Sequence, residues 1–181
     1  DPEKRKKYNN EFSDDGFSVA SPTAGLHFSN KLINKLAQTN DFAFVNLDVN
    51  IDTFKPMKSS NLDEHNIHSE TYSITSDDFN KIIEFKNSGK PIYCVGTTSL
   101  RAIETAYTTN NLDGTTDLFI KPDTKINIPN YLITNFHAPM SSLLSIVENV
   151  YGDHWRDLYE YALNNKLKFL SFGDAVLFEY K

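Results

Sequence analysis

Cysteine and tryptophan each occur once in the 181 residues and methionine twice. With Cys94 as the lone cysteine, an internal disulfide framework and a cysteine-based zinc site are both excluded, and the usage fits a reducing, cytoplasmic setting. Cys94 lies inside the apolar run Pro91-Ile92-Tyr93-Cys94-Val95, where a small buried hydrophobe is the favoured reading over a nucleophile. No apolar run approaches the roughly 20 residues of a membrane span, so no membrane contact is expected. Basic charge is in deficit: 18 Lys and Arg stand against 24 Asp and Glu, a net charge of −6, which argues against general polyanion binding. Lys4-Arg5-Lys6-Lys7 is one candidate for a local basic patch, with a solvated tail the favoured reading. Neither a Walker A loop nor a G-x-G-x-x-G fingerprint is present, so nucleoside-triphosphate and ordinary dinucleotide binding lose their best support. The polar opening Asp1–Asn10 carries no secretory pattern, and the missing initiator Met suggests a fragment or a processed form.

What is present describes an α/β domain. The composition, 39% hydrophobic and 23% charged, supports one globular domain over residues 17–181 behind a polar lead-in at 1–16. Its centre is Val95-Gly96-Thr97-Thr98-Ser99-Leu100-Arg101: a short apolar strand, a small polar turn, then a helix with Leu100, Ile103 and Tyr107 at helical spacing. A helix entered this way aims free N–H groups and its positive dipole end above the sheet, a seat for a carboxylate or phosphate. An ordinary capped helix fits the same residues.

Around this centre, strands are expected at 17–20, 42–49, 66–75, 116–120 and 131–136, with two strand pieces within 169–178 about Gly173-Asp174. Helices are expected after Ser29, Ser76, Ser141 or Ser142, and Asp153. Residues 50–65 form a polar connection long enough to be a functional loop. The alternation predicts a three-layer sandwich: a mixed, largely parallel sheet with helices on both faces.

Polar clusters fall at the expected element ends, where α/β sites are usually built. Ser21 to Phe28 sets His27 beside an aromatic near a helix start. In a strand His68 and Glu70 share a face, so the carboxylate can orient the imidazole; a half-buried strand with a solvated end is the competing account. Asn135-Phe136-His137-Ala138-Pro139 and Thr116-Asp117-Leu118-Phe119 are the other two. His65, His68 and His137 lack any ligand spacing that supports a metal, and none is expected.

Together, Ser18 to Phe28, Glu64-His65 with His68-Ser69-Glu70, Val95 to Ala102, Thr116 to Ile120, Leu132 to His137 and Ser171 to Ala175 resemble, in order, the S-adenosylmethionine:tRNA ribosyltransferase-isomerase family of queuosine biosynthesis. The resemblance runs from about residue 17 to 178. It implies transfer and isomerisation of the ribosyl part of S-adenosylmethionine onto 7-aminomethyl-7-deazaguanine at the tRNA wobble position, giving epoxyqueuosine and releasing adenine and methionine. S-adenosylmethionine is then a substrate, and no cofactor is expected. The family's α/β domain carries an inserted β-barrel; this chain resembles its C-terminal portion, without the barrel and the first α/β elements, so a separate N-terminal region is an expected partner beside the tRNA. Two positions depart from the family pattern: Asn50-Ile51-Asp52-Thr53-Phe54 lacks glycine, and Met140 stands where lysine is usual.

The implied chemistry needs a base for the 5′ carbon, acidified by the sulfonium, and a donor for departing adenine. His68 paired with Glu70 is the first candidate, then His137, with His27 the third side chain suited to proton transfer near neutral pH. Thr97, Thr98 and Arg101 are suited to the methionine carboxylate. Phe28, Phe54 and Phe136 can face the sulfonium or stack on adenine, or simply fill the core. Thr23, Gly25, Thr53, Asp117 and Asn135 complete the substrate-binding set implied by the matching segments. The alternative is a truncated or degenerate member that binds nucleoside, tRNA or a partner chain without catalysis. A conventional methyltransferase is least supported, since its glycine-rich loop is missing.

Overall fold

The computed structural model describes residues 23–49 and 69–180. The expected strand at 17–20, the loop at 50–65, and with them His65, His68, Thr53 and Phe54, lie outside the described residues.

The fold is α/β and is built around one helix. Strand β3 (Tyr93–Val95) leads through Gly96 into helix α3 (Thr97–Thr109). Gly96 has φ 92° and ψ 147°, a region open essentially only to glycine, which is why the chain can turn from strand to helix without a linker. Every residue from Leu100 to Ala106 is buried, so α3 has no solvent stripe along this stretch. Leu100 packs with Cys94, Leu132, Ile146, Val147 and Phe178. Ala102, Ile103 and Ala106 pack with Tyr72, Ile74 and Ile128. The helix thus joins two cores, and small residues at 102 and 106 let the second close against it.

The sheet expected to be single is divided in two. Strands β1 (Val45–Asp48), β2 (Glu70–Ile74) and β4 (Asp113–Thr116) form one, antiparallel throughout in the order β1-β2-β4. The other, β3-β5-β6, pairs β3 parallel to β5 (Tyr131–Asn135), and β5 antiparallel to β6 (Ala175–Glu179). Mixed pairing is as expected, but among the described residues parallel pairing is confined to β3–β5. In register, Cys94, Leu132 and Phe178 form one row of the second sheet, buried against α4 (Leu143–Tyr151) and α5 (Trp155–Asn164). On the opposite face Val95, Ile133 and Leu177 form one row and Tyr93, Tyr131 and Glu179 another. Here Tyr93 is 51% and Leu177 56% exposed, and the cleft on this face is lined from the other side by Leu36, Ile82 and Phe85.

Helix α1 (Asn30–Leu36) starts at Ser29, whose hydroxyl accepts the Leu32 N–H (3.3 Å), as its cap-type sequence predicts. Helix α2 (Ser76–Asn87) is capped by Thr75, one residue before the expected Ser76. Asp153 does not cap α5 but lies in a 3-10 turn, Gly152–His154, that precedes it. The strand expected at 116–120 is β4, displaced toward the N-terminus. The reason is that the carbonyls beyond Thr116 are taken by side chains instead of a ladder: Leu118 by Arg101 Nε (2.9 Å), Ile120 by Ser145 Oγ (2.6 Å) and Lys121 by Asn149 Nδ2 (2.8 Å). Likewise only β6 forms from the two pieces expected in 169–178. Residues 168–174 close on themselves instead, with the Asp174 N–H donating to the Lys168 carbonyl (2.8 Å) and its carboxylate accepting the Lys168 N–H (2.7 Å). A Cβ on Gly173 would stand 2.4 Å from the Lys168 carbonyl oxygen, so only glycine permits this closure.

Candidate functional site

Strands β3 and β5 run parallel with Val95 opposite Ile133, so their carboxyl ends open at the same edge. Gly96 donates its N–H to the Ile133 carbonyl (2.8 Å), fixing the β3–α3 turn beside the end of β5. A 3-10 turn, Thr23–His27, packs there: its Ala24 and Gly25 are buried, and Ala24 Cβ lies 3.8 Å from where a Gly96 Cβ would be. The first intrahelical bond of α3 runs from Leu100 N–H to the Gly96 carbonyl (3.2 Å), leaving the earlier amides of Thr97, Thr98 and Ser99 at the positive end of a 13-residue helix.

Asn135, the last residue of β5, is 3% exposed and draws the turn in. Its Nδ2 lies 3.1 Å from His27 Nε2 and 3.2 Å from the Leu170 carbonyl; its Oδ1 accepts from the Thr23 hydroxyl at 3.4 Å. The His27 ring is otherwise exposed. Beside this cluster a cleft of about 1450 Å³ opens, lined among others by Gly25, Phe28, Val95, Thr98, Phe44 and Leu177. Thr23, Gly25, His27, Thr97, Thr98 and Asn135 are therefore brought to one edge, with Phe28 on the cleft wall.

Other expected site residues lie elsewhere. Glu70 and Arg101 pair with each other, their side chains 0% and 5% exposed, and Arg101 Nε donates to the Leu118 carbonyl. One terminal guanidinium nitrogen, Nη2, is buried without a partner. Arg101 is thus held on the β1-β2-β4 side of α3. Asp117 follows β4 and is exposed. His137 turns into the protein: its Nε2 is 3.1 Å from the Thr134 hydroxyl and its backbone N–H donates to the Tyr159 hydroxyl (3.1 Å). Burial holds its imidazole down at about 4, leaving it neutral across the physiological range. Phe136 is 2% exposed and packs on Tyr159 and Phe169, so it fills core. Burial pushes the Cys94 thiol up, which suits a packed hydrophobe.

Leu170 and Glu104 carry structure that the motifs do not announce. The Glu104 carboxylate, 2% exposed, accepts the N–H of Ile128 (2.7 Å) and of Asn127 (3.0 Å), tying the loop before β5 to α3. Its place, after Arg101, as the second charged residue in the otherwise small or apolar run Leu100–Ala106 was its only signal. Among the described residues no group of three or more His, Cys, Asp or Glu is placed to hold a metal ion, and no helix is long and apolar enough to cross a membrane.

Residues 2–178 match the family described as "Queuosine biosynthesis protein". The chain belongs to that family. A Clostridioides difficile relative named S-adenosylmethionine:tRNA ribosyltransferase-isomerase is 39% identical over 181 residues, covering 97% of this chain and 53% of the relative. A Rickettsia bellii relative of the same name is 42% identical over 185 residues, covering 97% and 52%. The crystal structure of S-adenosylmethionine tRNA ribosyltransferase from Thermotoga maritima superposes with a TM-score of 0.71 at 35% identity, over 85% of this chain and 50% of that one. The chain spans about half the length of the family members it matches.

Proposed function

We propose that this chain supplies one half of a tRNA-modifying transferase, which moves the ribosyl moiety of S-adenosylmethionine to 7-aminomethyl-7-deazaguanine at the wobble position and isomerises it to epoxyqueuosine. Adenine and methionine leave. The observation that carries this reading is the convergence of the Thr23–His27 turn, the Gly96 turn and Asn135 at the carboxyl ends of β3 and β5, beside an open cleft. These segments are separated by up to 112 positions in sequence, and each belongs to the resemblance. The free amides at the start of α3 suit the methionine carboxylate, which helix dipole and N–H groups hold without a basic side chain. Phe28 on the cleft wall offers an aromatic face to the sulfonium or the purine. His27 is the exposed imidazole at this edge, so it is the described group best placed for proton or hydrogen-bond exchange with substrate.

The open face of β3-β5-β6 supports a two-part enzyme. Tyr93, stacked on Tyr131 with centroids 4.5 Å apart, and Leu177 present apolar surface along the same cleft. An acidic Glu179 bonded to Tyr131 (3.0 Å) suits a polypeptide better than a phosphate backbone. The half of the family protein that this chain does not span is the partner of that face. Adenine release from S-adenosylmethionine with modified tRNA, measured with and without that half, tests both statements.

A further inference from the structure

The Leu170 carbonyl can only accept hydrogen bonds, so the Asn135 side-chain atom 3.2 Å from it must be the amide nitrogen. That settles which way the Asn135 amide faces. Its oxygen is turned to the Thr23 hydroxyl, and the second N–H of Nδ2 points at His27 Nε2, 3.1 Å away. Nδ2 has no lone pair to offer, so Nε2 of His27 must accept, and the ring proton of the neutral imidazole sits on Nδ1.

We infer that Asn135 is a positioning residue, oriented by the Leu170 carbonyl, which holds neutral His27 with its proton on Nδ1. Free imidazole side chains prefer the opposite tautomer, with the proton on Nε2, so the arrangement works against an intrinsic bias. Leu170 is built for the task. It has φ 69°, an uncommon conformation for a leucine, and its N–H donates to the Phe136 carbonyl (2.8 Å). Its carbonyl also receives the Gly173 N–H (2.9 Å), which anchors it independently of Asn135. The closed 168–174 loop therefore fixes a carbonyl, the carbonyl fixes an amide, and the amide fixes a tautomer.

Nδ1 has no hydrogen-bond partner among the described residues. It offers a neutral N–H donor at the exposed side of the ring, the group a purine ring nitrogen takes up; this last clause rests on the function proposed above.

The test is the side-chain ¹⁵N–¹H correlation spectrum of this chain, with the His27 signals assigned by their loss in His27→Gln. At a pH where His27 is neutral, the inference predicts the Nδ1–H pattern in the unmodified protein. Asn135→Ala should move the population toward Nε2–H. An Nε2–H or evenly mixed pattern in the unmodified protein overturns the inference, and that measurement needs no variant to fold. Addition of S-adenosylmethionine then addresses the substrate clause separately: displaced His27 Nδ1–H signals support it, and unmoved signals with the Nδ1–H tautomer intact overturn that clause alone.

Discussion

Arg101 on α3 and Glu70 at the start of β2 form an ion pair from which water is excluded on both sides, with side-chain exposures of 5% and 0%. Two charges in such a place hold each other, and removing one takes from the other the opposite charge that offsets its burial. Arg101→Ala and Glu70→Ala are each expected to destabilise the fold by about 3–5 kcal/mol, while the double variant loses less than their sum. Urea midpoints of the three variants measure this. Additive losses would show that the pair acts as two independent residues.

His137 predicts a pH window for stability. Its folded value near 4 lies below the ordinary histidine value of 6.5, so the unfolded chain binds the proton first. The contribution is fully present above about pH 6.5 and drains away as pH falls toward 4, reaching on the order of 2–3 kcal/mol. Urea midpoints between pH 7 and 5 should therefore fall more in the unmodified chain than in His137→Phe. Parallel curves would contradict the buried neutral imidazole.

Gly96→Ala isolates the turn before α3. Space is not the obstacle, since the nearest atom to an added Cβ is 3.8 Å away. The obstacle is φ 92°, which should cost about 1–3 kcal/mol or re-aim the helix amides. Thermal unfolding reads the first effect and calorimetric titration with S-adenosylmethionine the second. A variant unchanged in both would place no demand on the turn.

Leu177→Lys tests the open sheet face. Because Leu177 is 56% exposed, the isolated chain should keep its stability within about 0.5 kcal/mol. Association with the other half of the family protein should weaken at least tenfold, read by sedimentation. Undiminished association would move the partner surface elsewhere.

Periodicity and capping made most of the elements legible. Leu32, Ile33 and Leu36 behind Ser29, and the strand–turn–helix at Val95 to Arg101, depend on local spacing alone, and the structure places them where that spacing points. The strand at 116–120 failed because its apolar letters describe burial, while the carbonyls of Leu118 and Ile120 are claimed by Arg101 and Ser145 from distant positions. The same blindness applies to the site. His27 and Asn135 were visible as motif residues, but their link depends on a Leu170 carbonyl whose aim comes from a closed loop, and a leucine announces nothing of the kind. Arg101 stood one turn from Thr98 in sequence, yet α3 is buried all round from Leu100 to Ala106, and its side chain meets Glu70 at the start of β2.

Adenine release is the readout of the proposed ribosyl transfer that depends least on the assignment of any single residue. S-adenosylmethionine and tRNA bearing 7-aminomethyl-7-deazaguanine are incubated with the chain alone and with the other half of the family protein added. Adenine release that requires the modified tRNA and appears with the two halves together is the expected result. A folded, assembled pair that releases none would contradict it.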